Sequence, residues 1–193
     1  MNNNLEFKID TTEQYYLIGR YVVDFELIVF QIRFSLSILF QMQGLKTFEM
    51  ANIVFGQKQF TAEPLISCFE SISNELLKSI DEEEAKNKIG LTPKELSNLI
   101  SQFRNKFSKQ ITVRNDILHG THLISDTFIV ENKDNIDYDN LYIFKDSPNK
   151  YGARRRIVAE KKQDIILHLK DLNILYDEFN QLKVKLFNLV SSH

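Results

Sequence analysis

Five positions separate Arg114 from His119 in the run TVRNDILHGTH, residues 112–122, which also holds Asn115, Asp116 and His122. An arginine is permanently charged, and its planar fork grips two oxygens of one phosphate, stabilising charge that develops on a pentavalent phosphorus. The histidine side chain ordinarily titrates near neutrality, so it takes or gives a proton at physiological pH. Together they suit cutting a phosphodiester without a metal: one proton leaves a ribose 2′-OH and another reaches the 5′-oxygen leaving group. RNA supplies this nucleophile itself. On a straight helix, five residues turn the chain by about 140°, so one copy does not aim both groups at one point unless the helix begins or ends within the motif. Two copies meeting on a twofold axis pool two arginines and two histidines, enough for separate acid and base.

The neighbours of this pair carry two readings each. Asp116, three residues before His119, orients the imidazole or is a solvated helix acid. His122 follows the glycine and either faces the same cleft or lies outside it. For Arg114 and His119 the competing reading is a basic helix end whose histidine caps carbonyls. Four His, one Cys and no spaced His/Asp cluster give no metal site, and no glycine-rich phosphate loop or Ser-His-Asp order is present, so neither metal nor cofactor is expected.

Net charge is −2, which excludes a bulk polycation that holds nucleic acid by charge alone. The distribution is uneven. Residues 104–122 hold Arg104, Lys106, Lys109 and Arg114 against Asp116, and residues 145–162 hold seven basic residues against Asp146 and Glu160. Within the second block Arg154, Arg155 and Arg156 either grip RNA phosphates or form a solvated turn. The run DEEE, residues 81–84, repels polyanions, so an anion-binding surface is local.

The positioning elements follow from hydrophobic periodicity. Residues 17–43 project as a helix with two apolar bands separated by polar stripes. One band holds Tyr21, Val22, Phe25, Ile28, Val29, Ile32, Leu36 and Leu39, and the other Val23, Leu27, Phe30 and Phe34. Such a helix packs on two sides, either inside its own bundle or with the second band against another chain. Gly44 ends it, and residues 45–55 suggest a shorter helix. Thr61 and Pro64 start a helix expected to run to about Glu84. Thr92, Pro93 and Glu95 make a stronger start, with Glu95 placed to reach back as a capping-box acid. That helix leads through Leu96, Leu99, Ile100, Phe103 and Phe107 into the motif.

Beyond His119, Gly120 breaks the helix. Short β-prone runs at 123–130, 141–144 and 156–159 alternate with turn residues, predicting a small β insertion over about 123–160. From Lys161 the period is helical again. His168, Leu172, Leu175, Phe179, Leu182, Leu186 and Leu189 form one seam, with His168 a polar residue at a core edge. The whole chain, 1–193, is expected to be a single, mainly α domain: an antiparallel helical bundle with the β insertion before its last long helix.

The run RNDILH, followed by Gly120, resembles the HEPN superfamily, whose pattern is Arg and His separated by four to six residues, the first of them polar. The form RNxxxHG is common among its prokaryotic members. The resemblance covers most of the chain as architecture and residues 114–120 as a specific match. It implies a helical bundle that dimerises into a composite, metal-independent endoribonuclease site, often in toxins or antiviral systems. Arg114 and His119 then take the catalytic roles and Asn115 the adjoining polar position; the implied partners are RNA, a second copy and a regulatory protein such as an antitoxin. Two departures stand out. The β insertion is not part of the minimal bundle, and Thr121 stands where some toxin members carry a tyrosine modified by their antitoxin. The alternative within the same fold is a dimeric module that binds RNA or a nucleotide without cutting it.

Composition fits a globular protein whose core is built heavily from phenylalanine, with 15 Phe, 7 Tyr and no Trp in 193 residues. Cys68 stands alone and reads as a buried structural thiol, which fits a reducing cytoplasm. The opening residues lack the apolar core of a signal sequence. Arg20, Asp24, Glu26 and Arg33 interrupt the apolar run at 17–42, so no membrane span is expected.

Overall fold

The computed structural model describes residues 12–44, 61–119, 121–122, 140–149 and 152–191. Among the described residues, five helices are α1 (Thr12–Met42), α2 (Ala62–Leu77), α3 (Glu82–Ile89), α4 (Pro93–His119) and α5 (Lys162–Val190). Between the last two come β1 (Thr121–His122), β2 (Asn140–Asn149) and β3 (Gly152–Lys161), an antiparallel sheet in the order β1-β2-β3. The runs expected at 141–144 and 156–159 fall within β2 and β3. The helix expected at 45–55, the strand at 123–130 and Gly120 lie outside the described residues. No described helix is long and apolar enough to cross a membrane.

Two compact units divide the chain: residues 1–23 with 113–170, and residues 24–112 with 171–193. Helices α1, α4 and α5 each contribute residues to both.

The second unit is a helical bundle with a phenylalanine centre. Phe25 stacks on Phe107 at 5.2 Å, Phe107 on Phe103 at 5.8 Å, and Phe103 meets Phe179 at 5.2 Å, which meets Phe69 at 5.3 Å. All five rings are fully buried, and offset or tilted rings at these separations attract beyond the area they bury. Polar contacts fix the helix directions. Ser97 donates to Asn74 (2.7 Å), Ser101 to Glu70 (2.6 Å) and Ser108 to Glu63 (2.9 Å), so α2 and α4 run antiparallel. Gln110 donates to Asp171 (3.4 Å) and Lys106 to Glu178 (2.6 Å), so α4 and α5 do likewise. Phe25 at the level of Phe107, and Gln31 accepting from Lys183 at 3.0 Å, set α1 antiparallel to α4 and alongside α5.

The expected band on α1 is buried at Tyr21, Phe25, Ile28, Val29, Ile32, Leu36 and Leu39. The opposite band is not. Val23 is 67% exposed, Leu27 43%, Phe30 54% and Phe34 37%. The α5 seam is buried from Leu172 through Leu189, while His168 is half-buried and meets Tyr21 edge-on in the first unit.

Local signals explain several helix ends. Gly44 adopts φ 92° just beyond α1, a left-handed conformation that costs glycine little. At the start of α4 the capping box closes both ways: Glu95 N–H donates to the Thr92 hydroxyl (3.2 Å), and the Glu95 carboxylate accepts from Thr92 N–H (2.7 Å). Those Thr92 bonds hold the Glu95 carboxyl below its ordinary pKa.

The helix expected from Thr61 to about Glu84 is instead two. α2 stops at Leu77, and Asp81 caps a new helix by accepting from Glu83 and Glu84 N–H at 2.9 and 3.1 Å. An aspartate that satisfies two orphan amides, followed by acids placed at the positive end of a helix dipole, favours a fresh start over continuation. Thr61 holds the N-cap position of α2, yet its side chain makes no capping bond. Cys68 is half-buried, not buried, and burial pushes its thiol pKa up.

Candidate active site

α4 reaches the motif as one unbroken helix of 27 residues, about 40 Å at 1.5 Å per residue. The capping box fixes one end and the motif occupies the last two turns of the other. Ile117 is buried and anchors those turns, with Arg114, one turn earlier, half-buried beside it. The guanidinium Nη1 of Arg114 donates to Asn115 Oδ1 at 3.3 Å. Asn115 and Leu118 are exposed, and Asp116 is half-buried.

Because α4 stays helical to His119, position 119 lies about 140° around the axis from position 114. It stands instead one turn beyond Asn115 and Asp116. Asn115 thus has a place that the bare motif does not reveal: it touches the guanidinium and shares a helix face with the histidine position.

The chain passes from α4 into β1, where Thr121 pairs with Phe144 and His122 with Ile143. Those β2 residues pair in turn with Ile157 and Val158. One step further along the sheet, in the direction from which α4 delivers the chain, Arg156 pairs with Lys145; Arg155 with Asp146 and Arg154 with Ser147 follow. Two strand spacings, about 10 Å, separate β1 from β3. The register therefore carries positions 154–156 to the sheet end nearest the motif. The side chains of His119, His122, Arg154, Arg155 and Arg156 lie outside the described residues.

The chain matches no protein-family model, no curated protein and no solved structure.

Electrostatics in the larger unit narrow the basic stretch read from residues 104–122. Arg104 lies 3.5 Å from Glu63 and 3.3 Å from Glu70, and Lys106 is paired with Glu178. Both cations serve helix packing, which a count of charges along the sequence does not distinguish from ligand binding. Lys109 is exposed on α4 and Arg114 half-exposed. Among the described residues, no group of three or more His, Cys, Asp or Glu side chains gathers in a metal-binding arrangement. Shallow concavities lie between α4 and α5 of the larger unit, one of them lined by Lys106, Lys109, Gln110, Asp171, Ile174 and Leu175. The spacing of residues along the chain had not marked them.

Proposed function

We propose that this chain is a metal-independent endoribonuclease of the HEPN kind, active as a homodimer in which Arg114 and His119 of two copies form one site. Its role is that of a toxin or antiviral-defence effector in a reducing cytoplasm, restrained by a regulatory partner such as an antitoxin. The observation that carries this reading is the placement of the motif in the closing turns of an unbroken, capped helix, with Asn115 holding the Arg114 guanidinium at 3.3 Å. A guanidinium held by a neighbour is restricted in orientation, as stabilising charge on a phosphorus requires. The 140° between positions 114 and 119 supports a site shared by two copies over one built by a single chain.

In this mechanism one histidine removes the 2′-OH proton, the 2′-oxygen attacks the adjacent phosphorus, and arginine donors stabilise the pentavalent charge. A second histidine protonates the departing 5′-oxygen. The products are a 2′,3′-cyclic phosphate and a 5′-OH, and no metal enters. Asp116, one turn before position 119, is the residue spaced to orient the histidine, and His122 follows in β1, where it pairs with Ile143.

The test is incubation of purified protein with RNA in EDTA. Cleavage with 2′,3′-cyclic phosphate ends is expected, with DNA left intact. A strict Mg²⁺ requirement or 3′-OH ends would sink the mechanism. The second reading, a module that binds RNA or a nucleotide without cutting it, draws on the sheet register that brings Arg154, Arg155 and Arg156 toward the motif. It predicts retained RNA and no products.

On either reading β2 and β3 form an insertion that adds RNA contacts and is dispensable for the bundle. Changing Arg154, Arg155 and Arg156 together to Ala weakens RNA binding and flattens its salt dependence by roughly one unit of log–log slope per lost phosphate contact. An unchanged slope in a salt titration removes these arginines from the interface.

A further inference from the structure

The interior stripe of α4 runs Leu96, Ile100, Phe103, Phe107, Gln110, Arg114 and Ile117, at alternating steps of four and three. All are buried except Arg114, which is half-buried. The α5 stripe runs Ile165, His168, Leu172, Leu175, Phe179, Leu182, Leu186 and Leu189 on the same rhythm, and all are buried except His168, which is half-buried. Each helix thus sets one half-exposed polar residue in an otherwise buried stripe. The two are level. Gln110 donates to Asp171, and beyond that rung, in the same direction because the helices are antiparallel, Arg114 lies about 6 Å and His168 about 4.5 Å along the axis.

The buried Tyr21 ring meets His168 edge-on at 6.3 Å, and His168 Nδ1 is buried with no hydrogen-bond partner among the described residues. A leucine at this position would continue the seam without leaving a buried nitrogen unsatisfied, so the histidine weakens the bundle and needs another reason to be there. We propose that His168 is a phosphate-binding residue, whose ring N–H donates to an oxygen of the same RNA phosphate that the Arg114 guanidinium grips. Both residues keep part of their surface in solvent, so an anion reaches them without parting the helices. A modest turn of the half-exposed ring about its broad χ2 brings Nδ1 to the incoming oxygen. His168 then holds the phosphate from Arg114's side of α4 and leaves proton transfer to His119. The identity of the ligand as RNA rests on the ribonuclease reading; the paired cation and imidazole do not.

Inorganic phosphate tests the site without RNA. Titrated through the millimolar range at fixed pH, with chloride holding the ionic strength, it is expected to shift the His168 Cε1–H proton resonance, the signal among the chain's four histidines that disappears in His168→Leu. The shift is expected to vanish in Arg114→Gln. A resonance that does not move, or moves as much in Arg114→Gln, overturns the proposal. With RNA, His168→Leu is expected to lower kcat/KM for cleavage roughly tenfold to a hundredfold, the worth of one hydrogen bond to a charged group. Its melting temperature is expected to be no lower than that of the wild type, because leucine continues the seam. His168→Gln keeps a donor and is expected to retain part of the rate. A melting temperature that falls in step with the rate assigns His168 to packing and overturns the proposal, as does unchanged cleavage by His168→Leu. Wild-type protein that responds to phosphate as expected but leaves RNA uncut upholds the phosphate site and removes the ribonuclease; cleavage without a phosphate response does the reverse.

Discussion

His119→Ala is expected to lower RNA cleavage on the order of 10²–10⁴-fold while leaving helix content, melting temperature and oligomeric state unchanged, because general acid–base catalysis contributes a factor of that size. The residue closes α4 and by its spacing lies outside the apolar stripe Leu96, Leu99, Ile100, Phe103 and Phe107. Arg114→Ala is expected to be comparably damaging. Arg114→Lys restores only part of the loss, since an ammonium keeps the charge but not the planar fork that meets two phosphate oxygens and Asn115 together. Rates measured on a labelled RNA, with thermal melting alongside, separate the outcomes. Undiminished cleavage by the His119→Ala protein removes the histidine from the mechanism. A fall in melting temperature parallel to the loss of rate assigns it to capping carbonyls instead.

The largest effect on stability is expected at the ring chain of the bundle. Phe103 is buried and touches both Phe107 and Phe179. Phe103→Ala deletes a ring from between two others and leaves a cavity that neighbouring helices do not collapse to fill, a change that costs about 3–5 kcal/mol. For a chain of this size, that lowers the melting temperature by roughly 10 °C. Calorimetry showing a shift of only a degree or two would mean that these rings are not the centre of the core.

The sequence made this bundle legible wherever one face of a helix answers to one environment. The α5 seam from Leu172 to Leu189 and the inner band of α1 are buried as their spacing requires, and the Thr92/Glu95 capping box forms because its groups lie three residues apart on one chain. The break between α2 and α3 was harder to read. Asp81 has two roles open to it, a helix interior acid or a cap, and only the competition between them decides. The roles of Arg104 and Lys106 were illegible for a different reason. Their partners Glu63, Glu70 and Glu178 are 34 to 72 residues distant along the chain, and no local pattern records such a meeting. At the motif, spacing gave the helical face of each position. The bond from Arg114 to Asn115 required coordinates, since adjacent residues on a helix ordinarily point apart.

The rungs between α2 and α4 contribute little stability, because partly solvated hydrogen bonds and ion pairs are nearly balanced by water. Their value is metric. Asn74 with Ser97, Glu70 with Ser101 and Glu63 with Ser108 are spaced so that all three close at one axial alignment of the two helices. Sliding α4 by a single residue mismatches every rung at once while leaving its apolar composition unchanged. The ladder thus acts as a ruler: it tolerates the loss of one mark but not a change in length, and it sets how far along its axis α4 carries the arginine and histidine at its end.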